Sequence, residues 1–141
     1  MAKKDKIVIG RSDIVDLPDL GVENIHAKID TGAYRSSLHC KKVYLENGFL
    51  YFTLHTATGF QEYATKEWSQ KEIRSSNGKI QKRFVIKTSM KLFGRRYKAS
   101  ISLSDRSKMK NPLLIGRKML TKRFIVDVSK KNLSYELKQA S

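Results

Sequence analysis

Cysteine is nearly missing from this sequence. Cys40 stands alone, so no intrachain disulfide can brace the fold and a packed core has to hold it; a single thiol also agrees with a reducing compartment. Acidic residues are scarce too, with 13 Asp and Glu against 29 Lys and Arg and a formal net charge of +16. Such a surface draws polyanions and acidic peptides without naming the partner. Long apolar runs are lacking. Near the start, Ile7-Val8-Ile9 is far too short for a signal-peptide core, and no later segment is long enough to span a bilayer. The expectation is a soluble, cytoplasmic protein with no membrane partner. Proline occurs only at Pro18 and Pro112, and no repeat, low-complexity tract or linker is visible. With 40% hydrophobic residues in 141 positions, one globular domain over residues 1–141 is expected.

What is present repeats mostly with a period of two. Ile25, Ala27 and Ile29 alternate with His26, Lys28 and Asp30, the pattern of a strand with one face buried; around Arg83 to Lys87 the alternation is less clean. "VYLENGFLYFTL" holds two β-prone runs, Val43 to Leu45 and Phe49 to Leu54, joined through Asn47-Gly48, which supplies the positive φ angles of a tight hairpin. Two more turn signals follow, "SSNGK" at Ser75 to Lys79 and Phe93-Gly94. Only "RKMLTK", after Gly116, reads as a short helix, closed by the β-prone "RFIVDV". An all-β barrel or sandwich is expected.

One acid is conspicuously placed. In "KIDTGAYRSSLHC", Asp30-Thr31-Gly32-Ala33 follows a strand, so a glycine turn can expose the carboxylate while neighbouring amides hold it. Alone, the tripeptide is more often an ordinary turn. However, "PLLIGRKML" lies downstream, with Gly116 86 positions beyond Asp30: two large apolar residues, a glycine and then a helix. This pair of segments resembles the retropepsin-type aspartic proteases. More narrowly, "AKIDTGAYRSSLH", "RSSNGKIQKRFVIKTSMKLFG" and "SLSDRSKMKNPLLIGRKMLTKRFIVDVSKKNL" resemble the bacterial retropepsin-like family labelled ATP-dependent zinc proteases, often found beside ATP-grasp glutamate ligases. The similarity runs from about Ile7 to Leu133.

The resemblance implies a closed acid-protease β-barrel with one short C-terminal helix. It also implies an aspartic-type endopeptidase without a cofactor. That chemistry needs two carboxylates sharing a proton, one ionised to activate water and one neutral to hydrogen-bond the scissile carbonyl. One Asp-Thr-Gly per chain therefore implies a homodimer with Asp30 at the two-fold axis. By position, Asp30, Thr31 and Gly32 would be catalytic, with the Thr31 hydroxyl bracing the two loops. Ala33 would leave room for substrate, and Ser75, Ser76, Asn77, Gly78 and Lys79 would form the flap that covers it. Leu114, Ile115, Gly116 and Arg117 would support the loop. Many viral relatives carry an acid after Asp-Thr-Gly-Ala that pairs with the arginine; here it is Tyr34, so Arg117 needs another partner. The ligase neighbourhood implies a glutamate-tailed peptide or protein as substrate and a functional link to a glutamate ligase.

The family's metal and nucleotide labels find little in the residues. His26, His39 and His55 form no His-Glu-x-x-His, and His39 and Cys40, adjacent on a strand, face opposite sides. Gly78-Lys79 continues into Ile80, so there is no phosphate-binding Gly-Lys-Ser/Thr loop. The basic runs "QKRF", "GRRYK" and "GRKMLTKR" read first as a solvated face. They also sustain a rival reading, a catalytically inactive retropepsin-like module binding ribosomal or nucleic-acid partners, although no RNA-binding signature accompanies them.

Overall fold

A computed structural model describes residues 5–56, 59–74, 77–104 and 111–141. Its strands are β1 (Ile7–Ile9), β2 (Ser12–Leu17), β3 (Val22–Ile29), β4 (Ser36–His39), β5 (Lys41–Glu46), β6 (Phe49–Thr56), β7 (Gly59–Thr65), β8 (Trp68–Arg74), β9 (Ile80–Leu92), β10 (Arg95–Ser104), β11 (Leu113–Ile115) and β12 (Phe124–Val126). Two short helices accompany them, α1 (Arg117–Leu120) and α2 (Leu133–Ala140).

Six strands close on themselves in the order β10-β4-β11-β3-β2-β9 and back to β10, with β8 added outside β9. Closure removes free strand edges, which suits a chain without disulfides. The expected β-barrel is therefore observed. β5, β6 and β7 form a separate three-stranded sheet, and β1 pairs with β12 in parallel. Phe52, Leu50 and Leu54 of β6 are fully buried and join the same apolar cluster as Leu17, Ile86, Ile101 and Ile115, so one core serves barrel and outer sheet.

The turn chemistry read from the sequence is realised. Asn47 and Gly48 have φ of 51° and 82° between β5 and β6, and Phe93 and Gly94 have 52° and 73° between β9 and β10. Phe93 tolerates its left-handed backbone because its ring packs 6.1 Å from that of Phe124 and its N–H donates to Ser134 Oγ at 2.8 Å. β8 and β9 pair antiparallel up to Arg74 and Ile80, at the tip end of their ladder. Of the five residues assigned to the flap, Asn77, Gly78 and Lys79 lie at this exposed tip; Ser75 and Ser76 lie outside the described residues.

The poor alternation around Arg83 has a physical cause. Adjacent Val85 and Ile86 are both buried, Ile86 within the apolar core and Val85 outside that cluster, so both faces of β9 are covered there. The short helix expected after Gly116 is present as α1, whereas α2 had no clear helical signal. It is held by a side chain from elsewhere. Asp13 occupies an inward position of β2 and is 1% exposed. Its Oδ2 accepts the Ser134 N–H at 2.9 Å and its Oδ1 accepts the Tyr135 N–H at 3.1 Å, capping the first turn of α2 from 121 positions away. Lys138 near the other end of α2 pairs with Asp16 at 3.0 Å.

Burial pushes the Asp13 carboxyl above its ordinary value of 3.8, while the Ser134, Ile14 and Tyr135 N–H groups pull it down. Asp13→Ala strands buried N–H donors and is expected to lower stability by about 2 kcal/mol in urea unfolding. Because the folded state favours the protonated carboxyl, that contribution is complete below the ordinary value and is lost as pH rises through the raised one. The alanine penalty is therefore expected to be larger in acidic buffer than at neutral pH.

Candidate active site

The loop carrying Asp30 is built where three strands end. β3 lies parallel to β11, with Ala27 beside Leu113 and Ile29 beside Ile115. β11 in turn runs antiparallel to β4, with Leu113 beside Leu38. This pairing brings segments far apart in sequence to one end of the barrel. The Asp30 N–H donates to the Ile115 carbonyl at 2.9 Å, fixing the first residue after β3 to the last residue of β11. The Asp30 carbonyl accepts the Ala33 N–H at 3.3 Å, closing the turn, and Oδ1 accepts the Gly32 N–H at 3.0 Å.

Gly32 is needed for approach rather than for backbone twist. A Cβ there would lie 3.2 Å from Asp30 Oδ1, crowding the carboxylate. Gly116 is constrained more severely: a Cβ would meet the Arg35 carbonyl carbon and oxygen at 2.7 Å and the Tyr34 oxygen at 2.8 Å. Those are backbone atoms, and they cannot swing aside. The missing side chain lets three donors reach the loop. The Gly116 N–H donates to Ser36 Oγ at 3.1 Å, that of Arg117 to the Ala33 carbonyl at 2.8 Å, and that of Lys118 to the Tyr34 carbonyl at 2.9 Å. α1 thus spends its first N–H groups on the Asp30 loop.

The expectation that Arg117 lacks an acidic partner is met in a specific way. Its Nη1 donates to the Thr31 carbonyl at 3.0 Å, and its guanidinium carbon lies 5.9 Å from the centre of the exposed Tyr34 ring. A hydrogen bond and a cation–π contact thus engage Arg117 on the Asp30 loop.

Asp30 opens into a pocket of about 380 Å³ lined also by Ala33, Tyr34, Arg35, Ser37, Arg83, Ser102 and Leu114. Asp30 is the one carboxylate among the described residues that line it. Ile115 belongs to the core, whereas Leu114 faces the pocket. The structure therefore brings together Asp30, Ala33, Leu114 and, through the backbone, Ile115, Gly116 and Arg117. Thr31 and Gly32 are exposed on the loop. Asn77, Gly78 and Lys79 do not line this pocket. Sequence reading missed Arg35, Ser37, Arg83 and Ser102; Arg83 was visible only as one charge in a basic run.

A family model described as "Retropepsin-like aspartic endopeptidase RimB" matches residues 8–136. The chain belongs to this retropepsin-like family. Among named relatives are proteins called "Probable alpha-L-glutamate ligase": 31% identical over 133 residues in Shewanella halifaxensis and 28% over 130 in Desulfotalea psychrophila. These alignments cover 89% and 86% of this chain but only 29% and 28% of those proteins. A crystal structure of a Legionella pneumophila protein of unknown function superposes with a TM-score of 0.76 at 25% identity, covering 92% of this chain and 99% of that one. Among the described residues of this retropepsin-like chain, no group of three or more His, Cys, Asp and Glu is arranged to hold a metal. No helix among them is long and apolar enough to cross a membrane.

The close fit at Gly116 makes a sharp prediction. Gly116→Ala forces the Asp30 loop and α1 apart and is expected to cost about 3 kcal/mol, read as a lowered melting temperature.

Proposed function

We propose that the chain is an aspartic-type peptidase that works as a homodimer, with Asp30 of each copy contributing half of one catalytic dyad. The observation that carries this reading is the single carboxylate at the pocket, on a loop locked from behind and open in front. Behind it, the Thr31, Ala33 and Tyr34 carbonyls are all engaged by Arg117 and Lys118. In front, Thr31, Gly32 and the 53% exposed Tyr34 remain available to a second copy.

In the dimer, the two Asp30 carboxyls share one proton, since close like charges cannot both be ionised without penalty. The ionised member takes a proton from water as that water attacks the peptide carbonyl. The neutral member donates a hydrogen bond to the carbonyl oxygen and stabilises the tetrahedral intermediate. A proton then passes to the leaving amine and the C–N bond breaks. Thr31 braces one loop against the other, and Asn77 to Lys79 cover an extended substrate held by main-chain hydrogen bonds. The mechanism calls on no cofactor.

The substrate is proposed to be acidic. A net charge of +16 favours it, as do relatives named for glutamate ligation that contain a segment like this chain within a longer protein. A glutamate-tailed peptide or protein in the cytoplasm, made by an ATP-grasp ligase, fits both facts.

Asp30→Asn is expected to reduce cleavage of glutamate-rich peptides by about a thousandfold or more while leaving the thermal melt unchanged. Chelator dialysis is expected to leave wild-type cleavage intact. Undiminished cleavage by Asp30→Asn removes this reading. Salt-sensitive RNA binding without hydrolysis favours the inactive binding module instead.

A further inference from the structure

The pocket that holds Asp30 also holds two arginines that form no ion pair among the described residues. Arg35 and Arg83 both line it, and both are partly buried. Arg83 also lines a neighbouring pocket of about 450 Å³ together with Lys82 and Ser104, so one guanidinium borders both spaces. Its Nη2 donates to the neutral Gln81 Oε1 at 3.2 Å. The ion pairs among the described residues are Arg96 with Asp19 and Lys138 with Asp16, and neither involves these arginines.

The strand register makes the arrangement more unusual. β8 and β9 place Lys71 directly opposite Arg83, and residues directly opposite share one face of the sheet. Like charges in that relation repel. The adjacent pair, Glu72 opposite Lys82, is complementary but lies on the other face of the hairpin, so it does not neutralise Arg83. A partly buried guanidinium with a like-charged neighbour and only a neutral hydrogen-bond partner keeps donors free for an incoming anion.

We propose that Arg83, helped by Arg35 across the pocket, is the specificity residue of the cleft and binds a glutamate side-chain carboxylate of the substrate beside the bond presented to Asp30. This rests on the reading of the Asp30 pocket as a peptidase cleft and adds the group that selects its substrate. The planar fork of Arg83 offers two parallel N–H donors to one carboxylate, whereas the amide of glutamine offers a single acceptor oxygen and no charge. Because Arg83 borders two pockets, an extended chain with acidic side chains on one face finds positive charge in both; alternate residues of such a chain project the same way about 7 Å apart.

The test separates recognition from cleavage. Binding of fluorescein-labelled hexaglutamate and hexaglutamine is measured by anisotropy at fixed ionic strength, using the full chain carrying Asp30→Asn. The expected result is a clear preference for hexaglutamate that Arg83→Gln, added to the same chain, reduces by about tenfold or more. Arg83→Lys is expected to keep the charge but recover only part of the preference, and Arg35→Gln to lose a smaller part. Lys130→Gln, an exposed charge elsewhere, controls for diffuse attraction. If Arg83→Gln costs no more than Lys130→Gln in a chain that melts normally, or if hexaglutamate and hexaglutamine bind alike before Arg83 is changed, the assignment is overturned. Should Arg83→Gln fail to fold, the Arg83→Lys and Arg35→Gln chains decide by the same comparison. Preference through Arg83 without wild-type cleavage removes the peptidase reading and leaves Arg83 as the carboxylate-binding residue of a non-hydrolytic site.

Discussion

Everything at the functional end of this molecule depends on one close backbone contact. Gly116 sits against the Tyr34 and Arg35 carbonyls at a distance that admits no side chain, which lets the first N–H groups of α1 bond the loop carrying Asp30. A surface loop ordinarily has low local stability. Here its inner edge is tied by backbone hydrogen bonds and by the Arg117 guanidinium, while β3 and β11 anchor its root in the core. The carboxylate is thereby presented at a fixed place by the backbone of the barrel and α1.

That constraint explains the division of labour around it. Leu113 and Ile115 point into the core and Leu114 into the pocket, so one three-residue strand both supports the barrel and lines the cleft. The rear of the loop is saturated with bonds and the front is not. In the proposed homodimer this unfinished front is where the second copy and its Asp30 dock. The abundant positive charge acts on another scale: a net charge of +16 attracts anionic chains from a distance, and in the proposed reading Arg83 and Arg35 give that attraction a particular address.

The parts legible in the sequence were those encoded locally. Asn47-Gly48 and Phe93-Gly94 announced their turns, and Ile25, Ala27 and Ile29 announced a half-buried strand. The Asp30 and Gly116 segments each had a readable motif, and their family pattern linked them across the chain. What escaped was set by distant partners. The helix at Leu133–Ala140 depends on Asp13 of β2, whose capping role no local pattern reveals. Arg83 looked like one more solvated charge because only the folded barrel places it in the pocket with Asp30. Arg117 showed that a partner was missing, but its replacement by a backbone carbonyl and the Tyr34 ring required the folded loop.

The central claim is that one active site is assembled from two chains. Titrating the active sites with a tight-binding peptide analogue, in which a hydroxyethylene group replaces the scissile amide, measures this most directly. The account predicts complete binding at one analogue for every two chains, with the complex sedimenting as a dimer. One analogue bound per chain, on a particle of monomer mass, would contradict it.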